Sequence, residues 1–414
     1  MRIALIRPAL TAAAMLFATV AIAQPPSEPA AAEQTAPEPS PPDPIGDLIE
    51  SAPAPLPPPP APPKVDKPVT LGAYLSSLRS RSCPPGAKSI EPESILLKTS
   101  PVALQALNPM RTSIGRLSFV AGFHLTSTNK RFGGLSGIDF LDNGNLLAVS
   151  DTGDFVWIDL KEDGLTPSAL RIAPLRDRKG KTYPTKSAAD AEGLAVNDGL
   201  ALVSFERDSR VLAYDIAACG GAARGIPLGW SMDSAFTRHR MTVGDNLGVE
   251  GLALTSDWYL LAGVETQVGK ASPLSARPLE AGARFDLMIG GNAPELVGLD
   301  QLQLGNELRL YSLHRSSKAL ASNAITVVET VLERSLDQSG LPARVVSEID
   351  ERARQGFRIK SSRVLAEMNV LVTIDNYEGI AAKQMPDGGV RLFIVSDDNF
   401  SASQRTLLMV FDVK

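Results

Sequence analysis

The sequence lacks most of the residue patterns on which common catalytic sites are built. Its 414 residues include only two cysteines and three histidines, and the histidines are too widely spaced for an H-E-x-x-H zinc site. There is no G-x-S-x-G nucleophile elbow, no P-loop and no dinucleotide-binding glycine fingerprint. These absences argue against an α/β-hydrolase, a histidine-based zinc site, a P-loop enzyme and a nicotinamide-dependent dehydrogenase.

Positive charge is also scarce. The chain has 41 Lys and Arg against 46 Asp and Glu, and removal of an N-terminal segment containing Arg2 and Arg7 leaves 39 against 46, or −7. Nucleic-acid binding requires clusters of basic residues that neutralise phosphates. We therefore expect no nucleic-acid partner.

The N-terminus has the features of a secretory signal peptide. Arg2 and Arg7 flank the start of an apolar run from Ala9 to Ile22, and Ala21-Ile22-Ala23 supplies small residues before a cleavage point. This run is short for a transmembrane helix, and no cysteine follows it for a lipid anchor. Residues 1–23 are predicted to be removed on export, which leaves a periplasmic or secreted monomer without an integral membrane segment.

The next residues differ sharply in composition from the remainder. Residues 24–69 are dominated by Pro, Ala and Glu, which cannot bury enough apolar surface to fold and predict a disordered linker. Residues 70–414 are predicted to form one domain that opens with a helix over Leu71–Leu78. Cys83 and Cys219 can pair in an oxidising compartment, but sequence does not give their separation, so both states stay open.

A four-residue repeat motif recurs along this domain: an acidic residue, glycine, a branched apolar residue and alanine. Three copies are intact and two are altered, and they are Glu192-Gly193-Leu194-Ala195, Glu250-Gly251-Leu252-Ala253, Glu378-Gly379-Ile380-Ala381, Ser136-Gly137-Ile138-Asp139 and Val297-Gly298-Leu299-Asp300. After each copy come a turn and an apolar run that ends on polar or charged residues, such as Leu313-His314. Such self-similarity in short strand-like units is typical of a β-propeller.

The number of blades follows from the number of units. Short strands joined by turns exclude a parallel doubly wound sheet. Five units carry the repeat motif, and a further region from Val327 to Ile374 has strand-like runs without it. We predict an all-β propeller of six blades, with seven as the alternative. The last strand, Leu407 to Val413, is expected to pair with a strand before Gly133 and so close the ring.

Acidic residues fall at both ends of the hairpin that each unit predicts. In a propeller the first strand of a blade lines the channel and the second returns beside it, so these two ends meet at one mouth. We predict a ring of carboxylates there. The candidate metal ligands are Asp151, Glu192, Glu250, Glu265, Glu378 and Asp397. Close carboxylates repel one another or demand a cation, and oxygen ligands favour calcium as the cofactor.

Candidate catalytic residues lie near the same strand ends. They are Glu206, Arg207 and Arg238, of which the arginines can steady a phosphorylated or otherwise anionic substrate. The alternative for the repeated acids is structural, because a polar residue at a fixed blade position often hydrogen-bonds the backbone of the next blade. Sequence leaves both roles open.

Seven stretches of the domain, taken in order, form a recognisable series. They are Phe132-Gly133-Gly134-Leu135-Ser136-Gly137, Ser150-Asp151, Asp190-Ala191-Glu192-Gly193, Ser204-Phe205-Glu206-Arg207, Asn246-Leu247-Gly248-Val249-Glu250-Gly251, Asn376-Tyr377-Glu378-Gly379 and Ser396-Asp397-Asp398-Asn399. This series resembles the phytase-like family, also described by the phrase esterase-like activity of phytase. The resemblance runs from Phe132 to the C-terminus and implies an exported bacterial propeller that hydrolyses phosphoesters or esters. Val297 departs from the acidic motif, which puts a complete metal ring in doubt.

These observations lead to two hypotheses. The first is an exported phosphoester or ester hydrolase with a calcium-binding acidic mouth and a small anionic or phosphorylated substrate. The alternative is a non-catalytic envelope propeller that binds a carbohydrate, peptide or protein and uses the acids for structure.

Overall fold

The computed structural model describes residues 69–207, 210–229, 248–280, 284–305, 307–316, 324–335 and 356–414. The predicted signal peptide and all of the predicted linker except residue 69 lie outside these ranges. None of the helices within them is long and apolar enough to cross a membrane.

The described chain begins with elements that serve as outer parts of later blades. They are α1 (Leu71–Ser82), β1 (Glu93–Ile95), β2 (Lys98–Pro101), β3 (Ser113–Ile114) and β4 (Leu117–Thr126). The side chain of Thr70 caps α1 by accepting a hydrogen bond from the Ala73 backbone N–H. Leu78 is buried against apolar residues of the second and third blades. The helix predicted over Leu71–Leu78 is thus confirmed and continues to Ser82.

Three blades follow, each an antiparallel sheet whose strands succeed one another outward from the channel. Blade one contains β5 (Leu135–Phe140), β6 (Leu146–Ser150), β7 (Asp154–Leu160) and β8 (Pro167–Pro174), with β1 outside β8. Blade two contains α2 (Lys186–Ala189), β9 (Ala191–Asn197), β10 (Leu200–Phe205), β11 (Val211–Asp215), α3 (Ile216–Cys219) and β12 (Ile226–Pro227). Blade three contains β13 (Val249–Leu254), β14 (Tyr259–Val264), β15 (Ser272–Pro278) and β16 (Phe285–Ile289).

The last two blades complete the ring. Blade four contains β17 (Glu295–Leu304), β18 (Glu307–Arg315), β19 (Ile325–Ser335) and β20 (Gly356–Met368). Blade five contains β21 (Asn376–Gln384), β22 (Val390–Asp397), β23 (Leu407–Val413) and then β4, with β2 beyond it and β3 paired to it. β23 pairs with β4 from Leu407 opposite His124 to Val413 opposite Leu117, so the predicted closure by strands from both ends is confirmed.

The described residues form five blades, so the prediction of six, with seven as the alternative, is wrong. The region from Val327 to Ile374 is not a separate blade, because it supplies β19, β20 and a turn after them. β19 and β20 contain 11 and 13 residues, about twice the usual strand length. These two strands therefore contain as many residues, 24, as the four strands of blade three.

A disulfide fastens the N-terminal helix to blade two. Cys83, which caps α1, is bonded to Cys219 at the end of α3, with 5.6 Å between their Cα atoms. The bond closes a loop of 136 residues, and loss of a native disulfide typically costs about 2–5 kcal/mol. Sequence had left this pairing open.

The repeat motif forms the same irregularity in all five innermost strands. The pairing register with the second strand shifts at the first motif residue, for example between Val249 and Gly251. Such a β-bulge takes a residue out of the ladder and re-aims its side chain. The motif glycine then packs on the next blade, since a Cβ at Gly298 would lie 2.2 Å from the Glu378 carbonyl oxygen. The motif thus supports a tight ring and presents its first residue at the channel mouth in four blades, whereas Val297 of blade four packs in an apolar core cluster.

Candidate metal and active site at the channel mouth

The bulges surround a cavity of about 230 Å³ with an almost wholly polar lining. Eight carboxyl groups, which we call the acidic mouth, line it. They belong to Asp151, Asp190, Glu192, Glu206, Glu250, Glu265, Glu378 and Asp397. Three cationic side chains also line it, those of Lys186, Arg207 and Arg315.

Eight of the nine residues predicted from sequence as a site line this one cavity. They are Asp151, Glu192, Glu206, Arg207, Glu250, Glu265, Glu378 and Asp397. Arg238, the ninth, lies outside the described residues. Their shared location follows from the hairpin argument, while their roles remain predictions.

Two rings of residues build the mouth. The first residue of the motif forms the inner ring, with glutamates in blades two, three and five. The outer ring comes from the residue that follows β6, β10 and β14 or ends β18 and β22. Its members are Asp151, Glu206, Glu265, Arg315 and Asp397. Blade four thus carries an arginine where the other blades carry an acid.

His314 does not belong to the mouth, although sequence placed it at the end of that strand. It is fully buried, and its ring nitrogens lie 3.0 Å from the Pro294 carbonyl oxygen and 2.9 Å from the Ser312 hydroxyl. Burial lowers the pKa of His314 to about 4, so the imidazole is neutral at physiological pH. His314 is paired with Leu296 as Ser150 is with Leu135, so Arg315 is the equivalent of Asp151 and lines the cavity.

Asp190, Lys186 and Arg315 line the site but were absent from the predicted set. Asp190 precedes Glu192 by two residues, and this spacing puts side chains on the same side of an extended chain. Asp190 could therefore have been predicted from the sequence. Arg315 has a signal in its position as a basic residue directly after the fourth apolar run. Lys186 lies on α2, a helix of four residues, and nothing in its sequence marks it.

The cations neutralise part of the mouth. Lys186 pairs with Asp151, the Arg207 guanidinium lies 2.9 Å from Asp190, and the Arg315 guanidinium lies 2.9 Å from Glu378. No ion pair joins the other five carboxyl groups to a residue in the described ranges. Negative charge therefore exceeds positive charge at this mouth.

Burial and mutual repulsion raise the pKa values of these carboxyl groups. Desolvation, followed by the charges of neighbouring glutamates, raises the pKa of Glu192 and of Glu250 well above the usual range. Burial, together with the nearby Glu378, raises the pKa of Asp397 to about 7. Burial and the neighbouring Asp190 raise the pKa of Glu206 to about 6. Such a cluster takes up protons or a cation near neutral pH.

The donors present fit a hard divalent cation. Asp190, Glu192 and Glu206 each offer a carboxylate oxygen, and these oxygens lie within 4.8 Å of one another. Oδ1 of Asp151 is buried without a hydrogen-bond partner among the described residues. Nor does any hydrogen bond within those residues reach the carboxylate of Glu250. An all-oxygen donor set suits calcium or magnesium rather than zinc or copper.

The channel is closed just inside the acidic mouth. The space there is about 10 Å³, at most enough for one water molecule. The branched apolar residues of the motif fill it, and they are Ile138, Leu194, Leu252, Leu299 and Ile380. A ligand bound at the mouth therefore does not pass through the propeller.

The family model described as phytase-like, esterase-like activity of phytase, matches residues 130–400. The chain belongs to the phytase-like family. The resemblance drawn from the motif series is thus confirmed, and the family match covers all five copies of the repeat motif. No curated protein sequence matches this phytase-like chain.

Solved structures resemble this chain only distantly. The PQQ-bound aldose sugar dehydrogenase from Streptomyces coelicolor is 12% identical, with a TM-score of 0.36 over 77% of this chain and 100% of that one. The PQQ domain of pyranose dehydrogenase from Coprinopsis cinerea is 11% identical, with a TM-score of 0.35 over 79% and 98%. An exo-1,5-alpha-L-arabinanase from a bovine ruminal metagenomic library is 11% identical, with a TM-score of 0.37 over 72% and 95%. Likenesses at this level carry no information about activity or substrate.

Proposed function

We propose that this protein hydrolyses a phosphoester or carboxylic ester of a small anionic compound, with calcium bound at the acidic mouth. The observation that carries the proposal is the excess of eight carboxyl groups over three cations in a closed-ended cavity. Membership of the phytase-like family supports ester chemistry as the reaction class.

The residues have distinct parts in this proposal. Asp190, Glu192 and Glu206 hold the cation together with Glu250, whose carboxylate lines the same cavity without a hydrogen bond from the described residues. The cation supplies the positive charge that an anionic substrate needs beside so many carboxylates. Arg207 is half-exposed at the rim while Asp190 orients it, which suits a clamp on a phosphate or carboxylate.

We also propose that the protein acts outside the cytoplasm, in the periplasm or the medium. The Cys83–Cys219 disulfide supports an oxidising compartment, where such bonds persist. The signal-like residues 1–23 support the same location.

Glu250→Gln tests the proposed function directly. Purified protein is assayed on 4-nitrophenyl phosphate, 4-nitrophenyl acetate and phytate, with calcium and with chelator. We expect turnover that needs calcium, and a fall in kcat/KM of about 100-fold or more in the variant, because one carboxylate of the mouth loses its charge. Glu162→Gln, at an exposed position in the turn after β7, is the matched control and should leave both unchanged. Absence of turnover on the whole panel with calcium present contradicts the proposal.

The paired charges favour a second candidate, a propeller that binds without catalysis. Lys186, Arg207 and Arg315 each compensate one acid, as in a site that recognises a polar carbohydrate or peptide. Calcium binding measured by calorimetry, together with no turnover on the panel, would support this candidate.

A further inference from the structure

A second cavity, of about 370 Å³, lies beside the acidic mouth. Three short segments contribute to both cavities, namely residues 151–154, 186–189 and 399–400. Adjacent residues such as Asn399 and Phe400 line the two cavities in turn, so a ligand that is larger than a simple anion and crosses the rim between the cavities would contact both.

The second cavity presents an aromatic surface. Phe400 lines it and is 44% exposed, whereas the other described phenylalanines are buried or half-buried. Tyr183 lines it as well, with its hydroxyl 3.3 Å from that of Tyr214. Exposure of an apolar ring at a cavity costs hydration free energy unless a ligand covers it.

The backbone holds Phe400 in a conformation that residues with a Cβ avoid. Asn399 and Phe400 have φ angles of +47° and +49°, both left-handed. Two consecutive non-glycine residues in this region are strained, and such strain persists only where surrounding contacts maintain it. It is typical of positions that hold a ligand.

Asp398 maintains this conformation. Its Oδ1 accepts hydrogen bonds from the backbone N–H of Phe400 at 3.1 Å and of Gly134 at 2.9 Å, and its Oδ2 accepts one from Thr406 at 3.0 Å. The Phe400 ring then lies over the glycine pair, where a Cβ at Gly134 would approach the ring to 2.7 Å and one at Gly133 to 3.1 Å. The glycine pair and Asp398 thus serve to seat one aromatic ring, and Gly134 also adjoins the acidic mouth, because its carbonyl oxygen accepts a hydrogen bond from the Asp151 N–H.

A cation lies at the edge of the same cavity. Lys130 lines it, is exposed and forms no ion pair with the described residues, whereas the neighbouring Arg131 is paired with Asp154. Lys130 is therefore available to an anionic substituent on a bound ring.

We propose that this cavity is the subsite for the leaving group of the ester, and that the leaving group is an aromatic ring stacked on Phe400 beside Lys130. The inference rests on the proposed hydrolysis. In that reaction water adds its hydroxyl to the phosphoryl or acyl group, the bond to the ring oxygen breaks, and this oxygen leaves with a proton. Phe400 acts only as a binding residue that determines specificity.

Two probes that are not hydrolysed test the subsite. Phenylphosphonate and methylphosphonate are titrated calorimetrically into the full chain in the presence of calcium. Ring stacking and burial predict that phenylphosphonate binds at least about tenfold more tightly. Phe400→Leu should remove this preference and Phe400→Trp should keep it. Leu107→Ala, at a position 97% exposed elsewhere, is the control and should change neither affinity.

Failure of this inference is distinguishable from failure of the proposed function. Equal affinity for the two phosphonates, or a preference that survives in Phe400→Leu, overturns the aromatic subsite even if esters are hydrolysed. A preference that depends on Phe400 in a protein without turnover supports an aromatic binding site at this cavity and overturns the hydrolysis, together with the assignment of the ring as a leaving group. An unchanged kcat/KM for phenyl phosphate in Phe400→Leu also overturns the subsite.

Discussion

Acidic residues lie at both ends of the propeller channel, and the two ends take them from different copies of the repeat motif. Blades two, three and five have glutamate at the first motif position, at the mouth, and alanine at the fourth. Blades one and four have Ser136 and Val297 at the first position and Asp139 and Asp300 at the fourth. Three residues along a strand span ~10 Å, so these far-end aspartates lie away from the acidic mouth.

The hydrogen bonds of the two groups differ. The Val196 N–H of blade two donates to Oδ2 of Asp139, and the Ala382 N–H of blade five donates to Oδ2 of Asp300, both at 2.6 Å. The Glu192 and Glu250 carboxylates accept no such bond from the described backbone. The structural role considered for the repeated acids is therefore filled at the far end. The role of an acid in the motif is therefore evident from its hydrogen-bond partners and not from the sequence of the motif.

The pH dependence of stability in chelator should give the largest effect. The folded-state pKa values of Glu206, about 6, and of Asp397, about 7, exceed ordinary values of about 4. Asp139, at the far end, also has its pKa raised to about 7 by burial. The folded state thus binds more protons than the unfolded state, and this stability is present below pH 4 and lost as pH rises through 6 to 7. Melting temperature in chelator should fall between pH 5 and pH 8.

Calcium separates the contributions of the two ends. At pH 8 and a concentration 100 times its Kd, calcium should raise the free energy of unfolding by about 3 kcal/mol and so raise the melting temperature. Both increases should be much smaller at pH 5. Glu250→Gln should weaken this stabilisation, whereas Asp300→Ala should retain it. Equal stabilisation of both variants would place the cation elsewhere.

Asp300→Ala in chelator should give the next largest effect. Alanine occupies this position in three other blades, as Ala195, Ala253 and Ala381, so the change tests hydrogen bonding rather than fit. Loss of the acceptor for the buried Ala382 N–H should cost about 1–3 kcal/mol in urea unfolding. Glu250→Gln in the same assay should cost nothing, since it relieves repulsion at the mouth. A destabilisation of similar size in both variants would remove the distinction between the two ends.

Sequence was informative where the geometry is local. The hairpin between the motif and the following strand end brings Glu250 and Glu265 to one mouth by chain connectivity alone, and the ring closure by Leu407–Val413 needed only an unpaired strand at each end. The predicted number of blades was wrong because the alternation of apolar and polar residues does not show how long a strand is. The long strands β19 and β20 therefore resembled an extra blade. Arg315 was not in the predicted set because the end of the apolar run was placed at Leu313-His314, whereas the pairing makes His314-Arg315 the equivalent of Ser150-Asp151.

Ser136→Ala should give the smallest effect and sharpens the comparison within the mouth itself. Ser136 occupies the inner-ring position of blade one and lines the cavity, but its hydroxyl lies 3.5 Å from the Gly134 carbonyl oxygen, at the limit of a hydrogen bond. Blade one brings charge to the mouth through Asp151 in the outer ring instead. Calcium affinity and stability should therefore stay within about 0.5 kcal/mol of the wild type, measured by calorimetry and urea unfolding. A larger loss of calcium affinity would make the hydroxyl a ligand and extend the inner ring to four blades.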